Sequence, residues 1–328
     1  MISFIVSRVL QAIPVLLIVG LISFAMFAYV GDPVTAMLGN DYTDAQRAAL
    51  VHQLGLDQPF YIQYLKYIWA ALHGDFGLSY RLSQPVSSLF AERLPATLEL
   101  AFTASVLAVV IGIPMGVYAG IYRNSLVSRL FMVVSLAGIS LPTFLIGVLL
   151  ILCFSVWLGW LPAFGRGTVV HIGWWTTGFL TWSGIKALIL PAITLGLFQM
   201  TLIMRLVRAE MLEVLRTDYI KFARARGLRD RTVNFGHALK NTMIPVITII
   251  GLQIGMVIAF SLVTETVFQW PGVGLLFIQS VAVADIPVMS AYLLMVGVVF
   301  VVINLIVDLL YYVVDPRLRV SRKVALAR

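Results

Sequence analysis

The sequence predicts an all-α integral membrane protein with about six transmembrane helices. Three observations carry this. Hydrophobic residues fill 60% of the 328 positions and charged residues only 12%, about half the ~25% of a soluble domain; mean hydropathy is +0.97. Several unbroken apolar runs reach the ~20 residues that cross a bilayer core as helix, and their continuity argues against a membrane β-barrel. Lys and Arg gather in segments that alternate to one side of those runs, the positive-inside pattern of cytoplasmic loops. That bias accounts for most of the net charge of +8, so the charge does not point to nucleic acid. The single Cys153 lies inside an apolar run, which leaves no disulfide framework and no cysteine-based metal site.

In chain order, Val9 to Val30 behind Arg8 reads as the first span, N-terminus inside, and residues 1–30 form the first transmembrane segment. The run exceeds the roughly 7–15 apolar residues of a signal peptide, and no A-x-A cleavage site follows. Residues 31–94 read as an external segment with short helices, carrying six acids against four bases. Thr43 is placed to cap a helix to Leu54. After Pro59, Tyr61, Tyr64, Leu65, Ile68 and Trp69 recur at helical spacing, with Tyr and Trp suited to an interfacial anchor or a binding surface.

Residues 95–314 form a five-helix core, followed by a basic cytoplasmic tail, 315–328. Its first span, Ala96 to Tyr122, carries Gly112, Gly116 and Gly120 at steps of four, a smooth face another helix can approach; Pro114 predicts a kink. The next, Leu130 to Leu158, is interrupted by Pro142. The loop 159–186 is external by alternation, and Ala187 to Leu206 spans again. A polar segment, with a loop at 207–243, separates this from Ile244 to Val263, which has Gly251 and Gly255 on one face. Thr264 to Pro287, with Glu265 and Asp285 and no base, fits the outside, and Val288 to Val314 is the last span.

Catalytic signatures are lacking. There is no G-x-x-x-x-G-K-[ST], H-E-x-x-H or G-x-S-x-G, and His52, His73, His171 and His237 have no metal-ligand spacing. A charge inside a span costs about 2.5–3.5 kcal/mol at mid-membrane. Asp308, one turn after Asn304, is therefore a candidate for lining a pathway, or for bonding a neighbouring helix or the inner interface. Glu99 and Glu265 lie near span ends, within reach of the interface.

The longest polar run, Arg205 to Pro245, holds nine Lys/Arg against four acids. Val214 to Arg226 has good helix propensity, and Gly227 suits the residue just past a helix end. Ile220, Ala223 and Gly227 make a small, smooth face beside Lys221 and Arg224. Such a helix fits a groove on another protein, or it is a positive-inside loop on anionic headgroups.

The run Asp218-Tyr219-Ile220-Lys221-Phe222-Ala223-Arg224-Ala225-Arg226-Gly227-Leu228, with His237-Ala238-Leu239-Lys240-Asn241 and Pro245, resembles the coupling loop of bacterial ABC-importer permeases. The branch is that of dipeptide, oligopeptide and nickel importers, B-type subunit. Gly31-Asp32-Pro33, Gly74-Asp75-Phe76-Gly77, Arg93-Leu94-Pro95, Leu161-Pro162, Pro271-Gly272 with Gly274, and Asp315-Pro316-Arg317 extend the likeness along nearly the whole chain. The general Glu-Ala-Ala start of the motif is replaced by Lys221-Phe222-Ala223, which weakens any transfer of a role for that Glu.

The resemblance implies a type I importer permease in the bacterial inner membrane, both termini cytoplasmic. It implies a homologous second permease, two ATPase subunits that hold ATP and Mg, and an extracytoplasmic substrate-binding protein. No cofactor is expected in this chain. Asp218, Tyr219, Ile220, Ala223, Arg224 and Gly227 are the expected coupling residues, and Glu265, Phe268, Pro271, Gly272 and Gly274 the candidate external gate. Peptide is the expected substrate, with nickel complexes, glutathione or another small solute as alternatives. The rivals from other classes are an ion-coupled secondary transporter, which the scarcity of buried acids disfavours, and a non-transporting scaffold.

Overall fold

Apolar runs with no water to hydrogen-bond their backbone must close those bonds internally, and they do so as helices. The computed structural model describes residues 2–29, 34 and 42–314. The Gly31-Asp32-Pro33 and Asp315-Pro316-Arg317 motifs and the basic tail 315–328 lie outside these. The long helices are α1 (Ile2–Tyr29), α4 (Val86–Ile121), α7 (Trp182–Val214), α9 (Leu239–Val267) and α11 (Ile286–Val314). Each holds a stretch long and apolar enough to cross a membrane. A sixth crossing is split: α5 (Leu126–Ser140) meets α6 (Thr143–Leu150), which continues as a π-helix to Trp157, at a bend of 110°. Pro142 sits in the break, where its missing N–H and ring exclude a continuous helix.

Between α1 and α4 lie α2 (Asp44–Leu54) and α3 (Phe60–Leu72). Thr43 caps α2 in a full capping box with Gln46. The loop after α6 carries a two-stranded antiparallel hairpin, β1 (Val170–Ile172) and β2 (Trp175–Thr177). Beyond α7 come α8 (Asp218–Ala225), a π-helical turn at Thr232–Ala238, and, after α9, α10 (Val273–Ala282).

The observed bounds depart from the sequence reading in three ways. α4 begins at Val86, so the expected division between 94 and 95 falls inside a helix: Val86 and Leu89 are buried and pack with Leu276, Val288 and Ala291. The expected helix from Val214 to Arg226 is broken, because α7 ends at Val214 and α8 opens at Asp218; Thr217 is extended there and its hydroxyl bonds back to Val214 O. Finally, α7 and α9 extend well past their apolar runs, with Val207 and Met211 of α7 and Val246 of α9 buried against protein.

The core is the α4–α7 seam. A Cβ on Gly112 would lie 2.9 Å from Met200 O, one on Gly116 2.6 Å from Met204 O and from Val207 Cβ, and one on Gly120 2.6 Å from Met211 Cβ. From the other side, a Cβ on Gly196 would lie 2.8 Å from Ala104 O. Contacts advance together along both helices, so they run parallel, as spans separated by one return crossing must. Small residues let the backbones close, the source of helix affinity where lipid is as apolar as leucine. α11 runs antiparallel to both α9 and α1, with Gly251 on Val307, Gly255 on Phe300 and Gly297 on Val19.

Candidate functional site

α8 is a two-turn helix whose inner side belongs to its own chain. Ile220 is 0% exposed and Ala223 8%, packed among Val207, Met211, Val233, Ala238 and Val246. This corrects the expectation that the Ile220–Ala223 face meets a partner. The apolar side of an amphipathic helix goes to the nearest available core, and here that core is the C-terminal end of α7 and the start of α9. What α8 presents outward is Phe222, 64% exposed, with Tyr219, Lys221, Arg224 and Arg226. The Arg226 guanidinium lies over the Phe222 ring at 6 Å scale, 5.8 Å from its centroid. The Tyr219 hydroxyl accepts a 2.6 Å hydrogen bond from Asn241 Nδ2, tying α8 to α9.

The C-terminal end of α8 is closed, while its N-terminal end has no side-chain cap but carries an acid. Asp218 lies in its first turn, where a negative charge suits the helix dipole. A hydrogen bond from Lys221 Nζ at 2.8 Å and the charge behind it hold the Asp218 carboxyl below the usual carboxylate range. Gly227, at φ +77°, donates to Arg224 O while Leu228 donates to Ala223 O, a Schellman stop. Gly227 thus ends the helix; a Cβ there would meet open space.

The candidate gate folds into a cage around a buried carboxylate. Glu265 is 0% exposed, not at the interface as its position near a span end led one to expect. It accepts from Thr97 Oγ1 at 2.7 Å, Ser261 Oγ at 3.1 Å and Leu275 N at 2.9 Å. Thr97 in turn accepts from Val273 N at 2.9 Å, so α4 and Glu265 together satisfy the open N–H groups at the start of α10. A side chain on Gly272 or Gly274 would run into the Glu265 carboxylate. Trp270 and Phe268 are buried; the indole donates to Ala96 O and the Phe268 carbonyl accepts from Gly165 N, both at 2.9 Å. Pro271 lies in the connection between α9 and α10. Of the five expected gate residues, Glu265, Gly272 and Gly274 share one cluster, completed by Thr97, while Phe268 and Pro271 lie in the connecting turn.

A second buried acid organises the hairpin. Glu99 is 3% and Arg166 7% exposed. Glu99 Oε2 accepts from both Arg166 Nε and Nη2, and its Oε1 accepts from Gly178 N. Arg166 also donates to Thr176 Oγ1 at 2.8 Å and Thr176 O at 2.7 Å. The hairpin is thereby fastened over an apolar cavity of about 720 Å³, walled by Phe102, Val106, Trp175, Phe179, Ile254 and Ile258 among others. A third, Asp285, accepts from Ser79 Oγ and the Tyr80 and Arg81 backbone N–H groups, pinning the turn before α4. Sequence reading missed these pairings. The available signal was a single acid in each apolar context facing a lone base or a Ser-rich turn, but nothing in the sequence names the partner.

Asn304 and Asp308 line a hollow of about 530 Å³ between α1 and α11. There Asp308 pairs with Arg8 at 3.1 Å, both partners partly exposed. This geometry gives Asp308 a bond to a neighbouring helix, one of the three readings open for it. Ile303, one residue from Asn304, faces the large cavity instead.

Residues 112–320 match the family model described as the binding-protein-dependent transport system inner membrane component, and residues 1–101 match the model for the N-terminal part of such membrane components. The chain is 41% identical to the di/tripeptide transport system permease protein DppB of Pseudomonas aeruginosa, over 98% of this chain and 100% of that one. It is 41% identical to the glutathione transport system permease protein GsiC of Escherichia coli K12, over 97% and 99%. A putative peptide transport system permease of Brucella abortus is 39% identical over the same shares, 97% and 99%. Among solved structures, the MetNI methionine ABC transporter in an inward-facing form aligns with a TM-score of 0.55 at 18% identity, covering 69% of this chain and 96% of that one. That likeness shows the fold, a type I importer permease, and bears out the expected architecture. With its apolar spans, its full-length relatives and the resemblance carried by its coupling-type loop in agreement, the chain belongs to the family of inner membrane components of binding-protein-dependent transport systems.

Proposed function

We propose that the chain is one of two paired permease subunits of an ATP-driven importer of short peptides, with both termini cytoplasmic. The observation that carries the substrate class is the set of relatives near 40% identity over their full length, named for di/tripeptide, peptide and glutathione transport. Glutathione is itself a tripeptide. ATP and Mg are held by partner chains, and substrate is delivered by a binding protein to the outer face.

Coupling runs through α8, from Asp218 and Tyr219 through Arg224 to the Gly227 stop. Its exposed Phe222, Tyr219 and Arg side chains, residue types enriched at protein–protein interfaces, enter a cleft on an ATPase. Ile220 and Ala223 act from the other side, as the grip on the permease. Because they are packed with Met211 and Val207 of α7 and Val246 of α9, a displacement of α8 carries both spans as a rigid body. The Glu265–Gly274 cage ties α9 and α10 to α4 and transmits the same displacement to the outer gate.

The test is ATP-dependent uptake of labelled di- and tripeptides by liposomes holding the full complex. Phe222→Ala removes an exposed hot-spot aromatic, worth ~2 kcal/mol or about 30-fold in docking affinity. It is expected to lower uptake and stimulated ATPase activity together while leaving the level of folded chain unchanged. Full uptake in that variant, or uptake driven by an ion gradient without ATPase subunits, overturns the reading.

A further inference from the structure

Helix α3 lies between two polar stretches and reads by composition as part of an external segment, yet its position against α1 places it lower. The membrane stretch of α1 runs Val6–Met26. α3 packs on the second half of that stretch. The Tyr64 hydroxyl donates to Leu17 O at 2.7 Å, Tyr67 meets Ser23 at 2.7 Å, Ile68 covers Gly20, and Phe60, Tyr64 and Tyr67 surround Phe24. The Arg8–Asp308 pair marks the opposite edge of the hydrocarbon, since charges there reach water most cheaply. At ~1.5 Å per residue Leu17 stands about 14 Å above Arg8 and Phe24 about 24 Å. Both levels lie within a hydrocarbon core of ~30 Å.

The free side of α3 is suited to that depth. Tyr61, Leu65, Trp69 and Leu72 recur at helical spacing and are 64, 63, 67 and 76% exposed. On the neighbouring α1, Ile18, Leu21 and Ile22 are also exposed. The polar side chains of α3 turn away from its free side. Gln63 donates to Leu56 O and Gln58 O in the turn before the helix, and Lys66 Nζ stands beside Gly55 in the same turn.

We propose that α3 is seated in the leaflet remote from Arg8, with its Tyr61–Leu65–Trp69–Leu72 stripe against lipid acyl chains. α3 then belongs to the membrane body of the permease, and a binding protein docking from outside meets α2 and the turns around it. The inference rests on the membrane crossing of α1 and stands whichever solute is carried.

The test places a nitroxide at Leu65→Cys and at Trp69→Cys, each with Cys153→Ser, in the full complex in phosphatidylcholine liposomes. Ile18→Cys on α1 serves as the lipid reference and Ala45→Cys on the polar helix α2 as the aqueous one. Collision rates with oxygen and with a water-soluble nickel chelate are compared. The expected result is an oxygen-to-nickel ratio at 65 and 69 that matches Ile18 and exceeds Ala45 several-fold. A ratio like that of Ala45 puts α3 in water, and exclusion of both reagents puts it under a protein partner; either outcome overturns the proposal. ATP-dependent uptake measured on the same vesicles shows separately whether the transport reading holds.

Discussion

Arg166→Met is the perturbation whose consequence the structure specifies most fully. Arg166 makes two contacts to the Glu99 carboxylate and two to Thr176, in a place where Glu99 is 3% exposed. Without it, Glu99 keeps only the Gly178 N–H. A buried carboxylate stripped of its partner costs about 3–5 kcal/mol, and the hairpin loses its bonds at Thr176, each worth ~1 kcal/mol. The single Glu99→Leu costs similarly, leaving a guanidinium with acceptors only on Thr176. The double variant Glu99→Leu with Arg166→Met removes both charges and leaves apolar side chains beside an apolar cavity. Replacing a buried pair in this way is often near neutral. The double variant should therefore be more stable than either single, with a coupling energy of at least ~2 kcal/mol. The assay is a double-mutant cycle read as the temperature at which half the detergent-solubilised complex loses its elution peak. Equal losses in the single variants that add in the double would refute the reasoning, since additivity would mean the two side chains do not act as a pair.

Gly116→Val should block the α4–α7 seam. Its Cβ alone would sit 2.6 Å from a backbone oxygen, Met204 O, so the helices must separate at a cost of ~1–3 kcal/mol or more. Yield of monodisperse protein is expected to fall sharply, whereas Gly236→Ala, whose Cβ would meet only Thr232 Cγ2 at 3.8 Å, should be tolerated. Asp308→Asn breaks a partly exposed ion pair, worth ~0–1 kcal/mol. Uptake should change less than twofold, and a loss beyond tenfold would return Asp308 to the pathway.

How much of this was legible varies by element for physical reasons. The spans were legible because lipid demands some twenty consecutive apolar residues whatever the neighbours. The break at Pro142, the capping box at Thr43 and the stop at Gly227 are likewise written in a few adjacent residues. Helix ends were not: α4 starts at Val86 because Val86 and Leu89 meet α10 and α11, contacts with residues some two hundred positions away. In the candidate gate, Glu265, Gly272 and Gly274 were picked out in sequence, but nothing there joined Thr97, which holds them to α4, to that group.

α8 shows the division most clearly. Periodicity alone established that Ile220 and Ala223 share one side and that Phe222 and the basic residues lie off it. A period says which residues face together and is silent on what they face, so the inward turn of Ile220 and the outward turn of Phe222 were decided by the available core of α7 and α9. The buried acids follow the same rule. Glu99 and Glu265 read as span-end residues within reach of the interface and Asp285 as part of an external segment, whereas their burial is offset by Arg166, Thr97 and Ser79 far along the chain. Composition and local chemistry thus determined that this chain crosses a membrane, where it crosses and which segment is polar. Tertiary packing decided which faces remain free to meet other molecules, because burial is a property of what closes over a residue and not of the residue itself.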